Sequence, residues 1–249
     1  MLAQDAYVDS DIPGRLDNLR WSGWHWRVVF ALGITWVLDG LEVTLVGAIG
    51  SVLQEPETLG LSATEIGITG SIYILGAILG ALVFGHLADR HGRKRLFLIT
   101  LGLYLIATLA TACSVGMISF STCRFVTGTA IGGEYSAINS AIDELIPARL
   151  RGSVDLAING SYWLGTALGA IASALLLDPR VLGHALGWRA VFALGGVLAV
   201  SMLLVRRFVP ESPRWLLVHG RAVEAEAIVL EIERACAPHD VARQPVLIR

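Results

Sequence analysis

Asp39 and Glu42 stand three residues apart within one apolar stretch, and Arg124 and Glu134 stand ten apart within another. Positions three apart on a helix share a face. A carboxylate in hydrocarbon is unfavourable by several kcal/mol unless it has a basic partner or a proton. Arg124 is the expected partner of Asp39. Two kinds of chemistry follow from that pairing. It is either a fixed ionic tie between two helices or a proton site. Low dielectric favours the neutral acid and a nearby guanidinium favours the anion, so a small change in their separation loads or releases a proton. Glu134 is roughly in phase with Arg124 and fits equally a second titrating group or a structural acid.

Further along, Asn159 and Trp163 lie one helical turn apart. An amide beside an indole face suits a small polar solute with an apolar side. The same two residues also fit an interhelical hydrogen bond and packing at the lipid interface. The histidines and the three cysteines show no metal spacing. No phosphate-binding or nucleophile motif occurs, and no cofactor is expected. An enzyme is therefore not expected.

These groups need elements to hold them. Of 249 residues, 54% are apolar and only 16% charged, with a net charge of −2. A soluble domain carries about 25% charged residues. Disorder is excluded by the apolar content, and nucleic-acid binding by the absence of a basic footprint. A membrane protein remains. Six stretches are long enough to cross a bilayer: 27–52, 64–88, 96–114, 116–143, 153–177 and 187–206. None alternates in period two, so the expected class is all-α with six transmembrane helices. Residues 1–26 form a polar tail without the pattern of a cleavable signal, bearing Asp5, Asp9, Asp11, Arg15, Asp17 and Arg20. Span one is then its own insertion signal. Arginines cluster before span one, between spans two and three, between four and five, and after six (Arg206, Arg207, Arg214, Arg221). The positive-inside rule then puts both termini in the cytoplasm. Residues 27–209 form the bundle and 210–249 a cytoplasmic segment. In that segment Pro210–Arg214 breaks the sixth helix and Arg221–Ala237 reads as amphipathic, with Val223, Ala227, Leu230 and Arg234 on one side. The tail from Pro238 shows no periodicity.

Gly85-His86-Leu87-Ala88-Asp89-Arg90-His91-Gly92-Arg93-Lys94 lies between spans two and three. It has the makings of a tight turn at a helix end: Gly92 permits positive φ, and Asp89 is placed to accept from a neighbouring helix N-terminus. Charge alone would make it a positive-inside anchor. Its full spacing resembles the loop signature of the major facilitator superfamily, where the resemblance implies a cytoplasmic latch. Arg124-x-x-x-Gly128 with Gly132, Gly133 and Glu134 resembles the fourth-helix signature of that superfamily. Glu144-x-x-Pro147-x-x-x-Arg151-Gly152 resembles its loop between helices four and five. Pro210-Glu211-Ser212-Pro213-Arg214-Trp215 looks like the motif after helix six in sugar porters, shared in part by organic-ion porters. The resemblance spans residues 27–235. It implies one half of a twelve-helix fold, built as three-plus-three inverted repeats. Gly85, Asp89, Arg90, Gly92, Arg93, Glu144, Arg151, Glu211 and Arg214 are the implied latch.

Proton-coupled sugar porters carry an acid in helix one and an arginine in helix four, and Asp39 and Arg124 look like the matching positions. Asp39-Gly40-Leu41-Glu42 also resembles the D-G-x-D pattern of aromatic-acid and related metabolite symporters. Asn159 stands where sugar porters usually have a glutamine. The resemblance thus implies proton-coupled uptake of a sugar or small organic acid by alternating access. Asp39, Glu42, Arg124 and Glu134 would serve the proton, and Asn159 and Trp163 the solute. The expected partners are solute, protons, lipid, and either a second six-helix half or a second copy. The expectation for the chain's extent is a truncated frame, a fragment or a dimerising half-transporter. The competing reading is a membrane scaffold or sensor that does not transport. Arginine outnumbers lysine eighteen to one, as in proteins of GC-rich bacteria, and the expected location is a bacterial inner membrane.

Overall fold

A computed structural model describes residues 10–206 and 209–236. Asp5, Asp9, Arg207 and the tail from Pro238 lie outside the described residues. Among those described, the regular structure is helical: α1 (Ile12–Asp17), α2 (Gly23–Ile49), α3 (Ala63–His91), α4 (Arg93–Ala112), α5 (Met117–Leu145), α6 (Arg151–Leu176), α7 (Gly183–Arg206), α8 (Pro213–Val218) and α9 (Ala222–Cys236). Spans one to six are α2 to α7.

Local chemistry sets the ends. The Ser62 hydroxyl accepts from the Glu65 N–H, and the Glu65 carboxylate accepts from the Ser62 N–H at 2.7 Å, a reciprocal cap that starts α3. Gly92, with φ of +92°, ends α3 and starts α4 in one residue. A β-carbon there would meet the Glu211 carboxylate, so both its backbone angle and its surroundings call for glycine. Pro147 follows α5 and prevents its continuation. Ser212 caps α8 by accepting from the Trp215 N–H at 2.9 Å.

Length and hydropathy together single out α2, α3, α4 and α7 as able to cross a membrane. Helices α5 and α6 have 29 and 26 residues and are long enough. They are more polar: Arg124 and Glu134 of α5 are buried inside the bundle, and α6 carries Arg151, Asp155 and Asn159. The outer faces of α3 and α6 are apolar, with Ile74, Ile78, Leu82, Leu164, Ile171 and Leu175 exposed.

Two helix pairs form the frame, α3 with α5 and α2 with α6, while α4 packs on α5 and α7. Exchanging α2 with α5, α3 with α6 and α4 with α7 maps one pair onto the other. The packing therefore carries the three-plus-three repeat. Small residues make both contacts close. Gly76 and Gly80 of α3 face the backbone of Phe125 and Thr129, and Gly128 and Gly132 of α5 face that of Tyr73 and Ala77. In the other pair Gly165 and Gly169 face Val37 and Leu41, and Gly40 faces Tyr162.

Two features differ from expectation. On α9 the buried face is Ala225, Val229 and Ile232, while Val223 is 85% exposed. Both sets have helical spacing, so periodicity alone could not choose. The rotation is fixed by the N-terminal segment, where Arg15 of α1 donates to Glu226 and Glu233. Those carboxylates, Glu233 first, hold the Arg15 guanidinium above the ordinary arginine pKa. Helices α1 and α8, of six residues each, were too short to show a period.

Alanine at Gly132 would place its β-carbon against the Ala77 backbone, whereas alanine at Gly70 meets open space. Gly132→Ala is expected to lose about 1–3 kcal/mol and Gly70→Ala to lose none, as read by thermal unfolding in detergent.

Candidate functional site

Asp39 and Glu42 of α2 are both buried, and each has its own set of partners. Glu42 forms the ion pair with Arg124 of α5; the two side chains are 0% and 2% exposed. The Tyr104 hydroxyl of α4 donates to the second oxygen of Glu42 at 3.1 Å. The Arg124 guanidinium also lies 4.5 Å from the centre of the Tyr73 ring and 5.7 Å from that of Phe192. Asp39 instead accepts from two phenols, Tyr73 of α3 at 3.3 Å and Tyr135 of α5.

This corrects the expected Asp39–Arg124 pair. Glu42 lies about 4.5 Å further along α2 and has one more methylene, so it reaches the guanidinium, and Tyr73 and Tyr135 fill the space beside Asp39. Tyr73 joins the two subsites, with its ring under Arg124 and its hydroxyl on Asp39. Glu134 is buried too. With Thr35, Asp39 and Tyr104 it lines a gap of about 10 Å³, the size of one water.

Beside this cluster is a cleft of about 510 Å³ bordered by Trp36, Tyr135, Asn139, Asn159 and the charged residues Asp143, Arg151 and Asp155. The Trp36 and Tyr135 rings stack at 4.9 Å and 21°, with Tyr162 edge-on to Trp36 at 6.5 Å. The Asn159 amide donates to the Asp155 backbone carbonyl and carboxylate, both at 2.9 Å. Trp163 does not join it: its side chain is 71% exposed on the outer side of α6. One turn of separation leaves about 40° between the two directions, enough for one residue to face α2 and α5 and the other to face outward.

The residues of the expected latch divide. Glu211 accepts from the backbone N–H groups of Arg93 and Lys94 at 2.9 and 3.1 Å, capping α4 where a carboxylate is favoured. That is the role expected of Asp89, whose side chain is exposed; its carbonyl accepts from the Trp215 indole at 2.8 Å. Glu144 joins the Arg93 guanidinium and the Ser212 hydroxyl. Arg151 turns to the N-terminal segment, donating to Asp17 at 2.6 Å and to the Ile146 carbonyl at 2.9 Å. Gly85 faces Ser136, and Arg90 and Arg214 are exposed.

Trp36, Tyr73, Tyr104 and Tyr135 were missed from the sequence. Trp36 stands one turn before Asp39 and Tyr135 next to Glu134, so aromatic residues within a turn of an intramembrane charge were the available signal.

A bundle of this kind, with paired charges inside apolar helices, belongs to the membrane carriers. The match is to the family described as "sugar (and other) transporter", over residues 40–244, and the chain belongs to that family. It is 32% identical over 224 residues to the niacin transporter NiaP of Acinetobacter baylyi, covering 90% of this chain and 49% of that protein. It is 31% identical over 233 residues to the 4-hydroxybenzoate transporter PcaK of Pseudomonas aeruginosa, covering 93% and 50%. Among solved structures, the partially occluded inward-open xylose transporter XylE of E. coli superposes with a TM-score of 0.76 at 22% identity, over 87% of this chain and 56% of that one. The fold is thus one half of the major facilitator fold, and the chain spans about half the length of the curated relatives it matches.

Breaking a buried ion pair on one side costs about 3–5 kcal/mol. Glu42→Gln and Arg124→Gln are each expected to lose stability on that scale. The double variant should lose less than the sum, because no lone buried charge remains. Unfolding midpoints of the three variants in detergent measure this.

Proposed function

We propose that the chain is the N-terminal half of a proton-coupled secondary carrier that takes up a small organic acid, or else a sugar, by alternating access across a bacterial inner membrane. Both termini face the cytoplasm in this reading. The apolar faces of α3 and α6 meet lipid and a second six-helix half or a second copy of the chain. The observation that carries the reading is the buried charge cluster of Asp39, Glu42 and Arg124, joined through Tyr135 to an aromatic cleft.

Each part has a use in transport. Glu42 and Arg124 satisfy each other and hold α2 to α5, the corresponding helices of the two repeats. Among the described residues Asp39 accepts from phenols and the guanidinium is taken by Glu42, so Asp39 is the group that exchanges a proton. Glu134 shares its gap and serves as the neighbouring acid. Two stacked rings and the amides of Asn139 and Asn159 suit a flat solute with a polar edge. That favours an aromatic acid over a sugar, in keeping with the names of the niacin and 4-hydroxybenzoate relatives. On the cytoplasmic side the contacts of Gly92, Arg93, Glu144 and Glu211 hold one of the alternating states.

In the intact natural protein, Asp39→Asn is expected to abolish accumulation of labelled benzoate, nicotinate or xylose driven by a pH gradient, while counterflow persists. Uptake into vesicles measures both. Undiminished accumulation by the variant would remove Asp39 from the proton step.

A further inference from the structure

Asp39 and the cleft are separate places. The carboxylate is 3% exposed and does not border the cleft. Tyr135 touches both. Its ring stacks on Trp36 at 4.9 Å and forms part of the cleft wall, and its hydroxyl donates to Asp39. We infer that Tyr135 is the positioning residue that couples solute binding to protonation: a planar solute stacking on Trp36 displaces its ring, and the hydroxyl leaves Asp39. This rests on the carrier reading above and adds the residue that transmits the coupling.

The physics has a definite sign. A hydrogen bond donated to a carboxylate favours the charged form. Removing the Tyr135 hydroxyl takes away one of the two phenols on Asp39 and favours proton uptake. By linkage, protonating Asp39 weakens its hold on the phenol and makes the ring easier to displace, so solute binds more tightly. Solute and proton then promote each other's binding, as symport requires.

The groups around Asp39 do not supply a simpler route. Glu42 on its own helix is tied to Arg124, which is covered by Tyr73 and Phe192. Tyr73 comes from α3, Tyr104 from α4, and Glu134 and Tyr135 from α5. Helix α6 brings Tyr162, edge-on to Trp36, and α7 brings the apolar Met202. Of these, Tyr135 both bonds to Asp39 and borders the cleft.

The test is benzoate affinity in the intact protein at about pH 5.5 and about pH 8, a range in which benzoate itself stays ionised. In the native protein affinity is expected to be about tenfold higher at the lower pH, within the usual size of a coupling. Tyr135→Phe keeps a ring and removes the hydroxyl, and its two affinities should fall within about twofold of each other, whatever their absolute values. A Tyr135→Phe protein with the native ratio overturns the inference and leaves the carrier reading standing. A native protein that accumulates none of the three solutes overturns the carrier reading instead. Should the variant not fold, 3-fluorotyrosine at position 135 gives the answer in the native fold. Its fluorine resonance should move both when benzoate is added at fixed pH and when pH is lowered without solute. A resonance that responds to one of these alone overturns the inference.

Discussion

Arg124 is a guanidinium that always carries charge, placed 2% exposed inside a bundle whose outer faces are apolar. Leaving it unpaired there would be far more unfavourable than any single packing contact in the molecule could offset. Glu42 pairs with it, Tyr104 satisfies the other oxygen of Glu42, and the rings of Tyr73 and Phe192 cover the guanidinium. Residues from α2, α3, α4, α5 and α7 thus converge on one charge. The tie also joins α2 to α5, the first helix of each three-helix repeat, across a boundary with few other contacts. Once this pair is satisfied, Asp39 is left to phenols, and its chemistry differs from that of its neighbour one turn away.

Such convergence requires helices that approach closely. Glycines on α3 and α5, and on α2 and α6, bring backbone against backbone, and each pair is the repeat-related copy of the other. The cleft opens beside these contacts, between α2, α5 and α6. At the end of the bundle that carries α1, α8 and α9, carboxylates do the joining: Glu211 caps α4, Glu144 gathers Arg93 and Ser212, and Glu226 and Glu233 clamp Arg15. One set ties α8 to the bundle, and the other ties α9 to the N-terminal segment.

The six long helices were legible because each is a long, mostly apolar stretch interrupted by few charges. Helix α5 was legible for a second reason, since Arg124, Gly128 and Gly132 match a motif even where hydropathy is low. The side of a helix was harder to read. Val223 and Ala225 both begin stripes of helical spacing, and the partner that chooses between them, Arg15, is more than two hundred residues away. The same limit separated Asn159 from Trp163. The partner of Arg124 depended on reach: two acids one turn apart compete for it, and the one with the longer side chain wins. Tyr73 and Tyr104 were invisible because a tyrosine in an apolar helix has the same spacing whether it packs or donates.

The two buried acids of α2 are unlike: Glu42 is paired with Arg124, whereas Asp39 is held by phenols and is the one proposed to take a proton. Infrared difference spectroscopy of the intact protein, between about pH 8 and about pH 5, reads the carbonyl stretch of a newly protonated carboxyl group. A band that is lost in Asp39→Asn and kept in Glu42→Gln is expected. A band that survives Asp39→Asn and vanishes in Glu42→Gln would contradict this assignment.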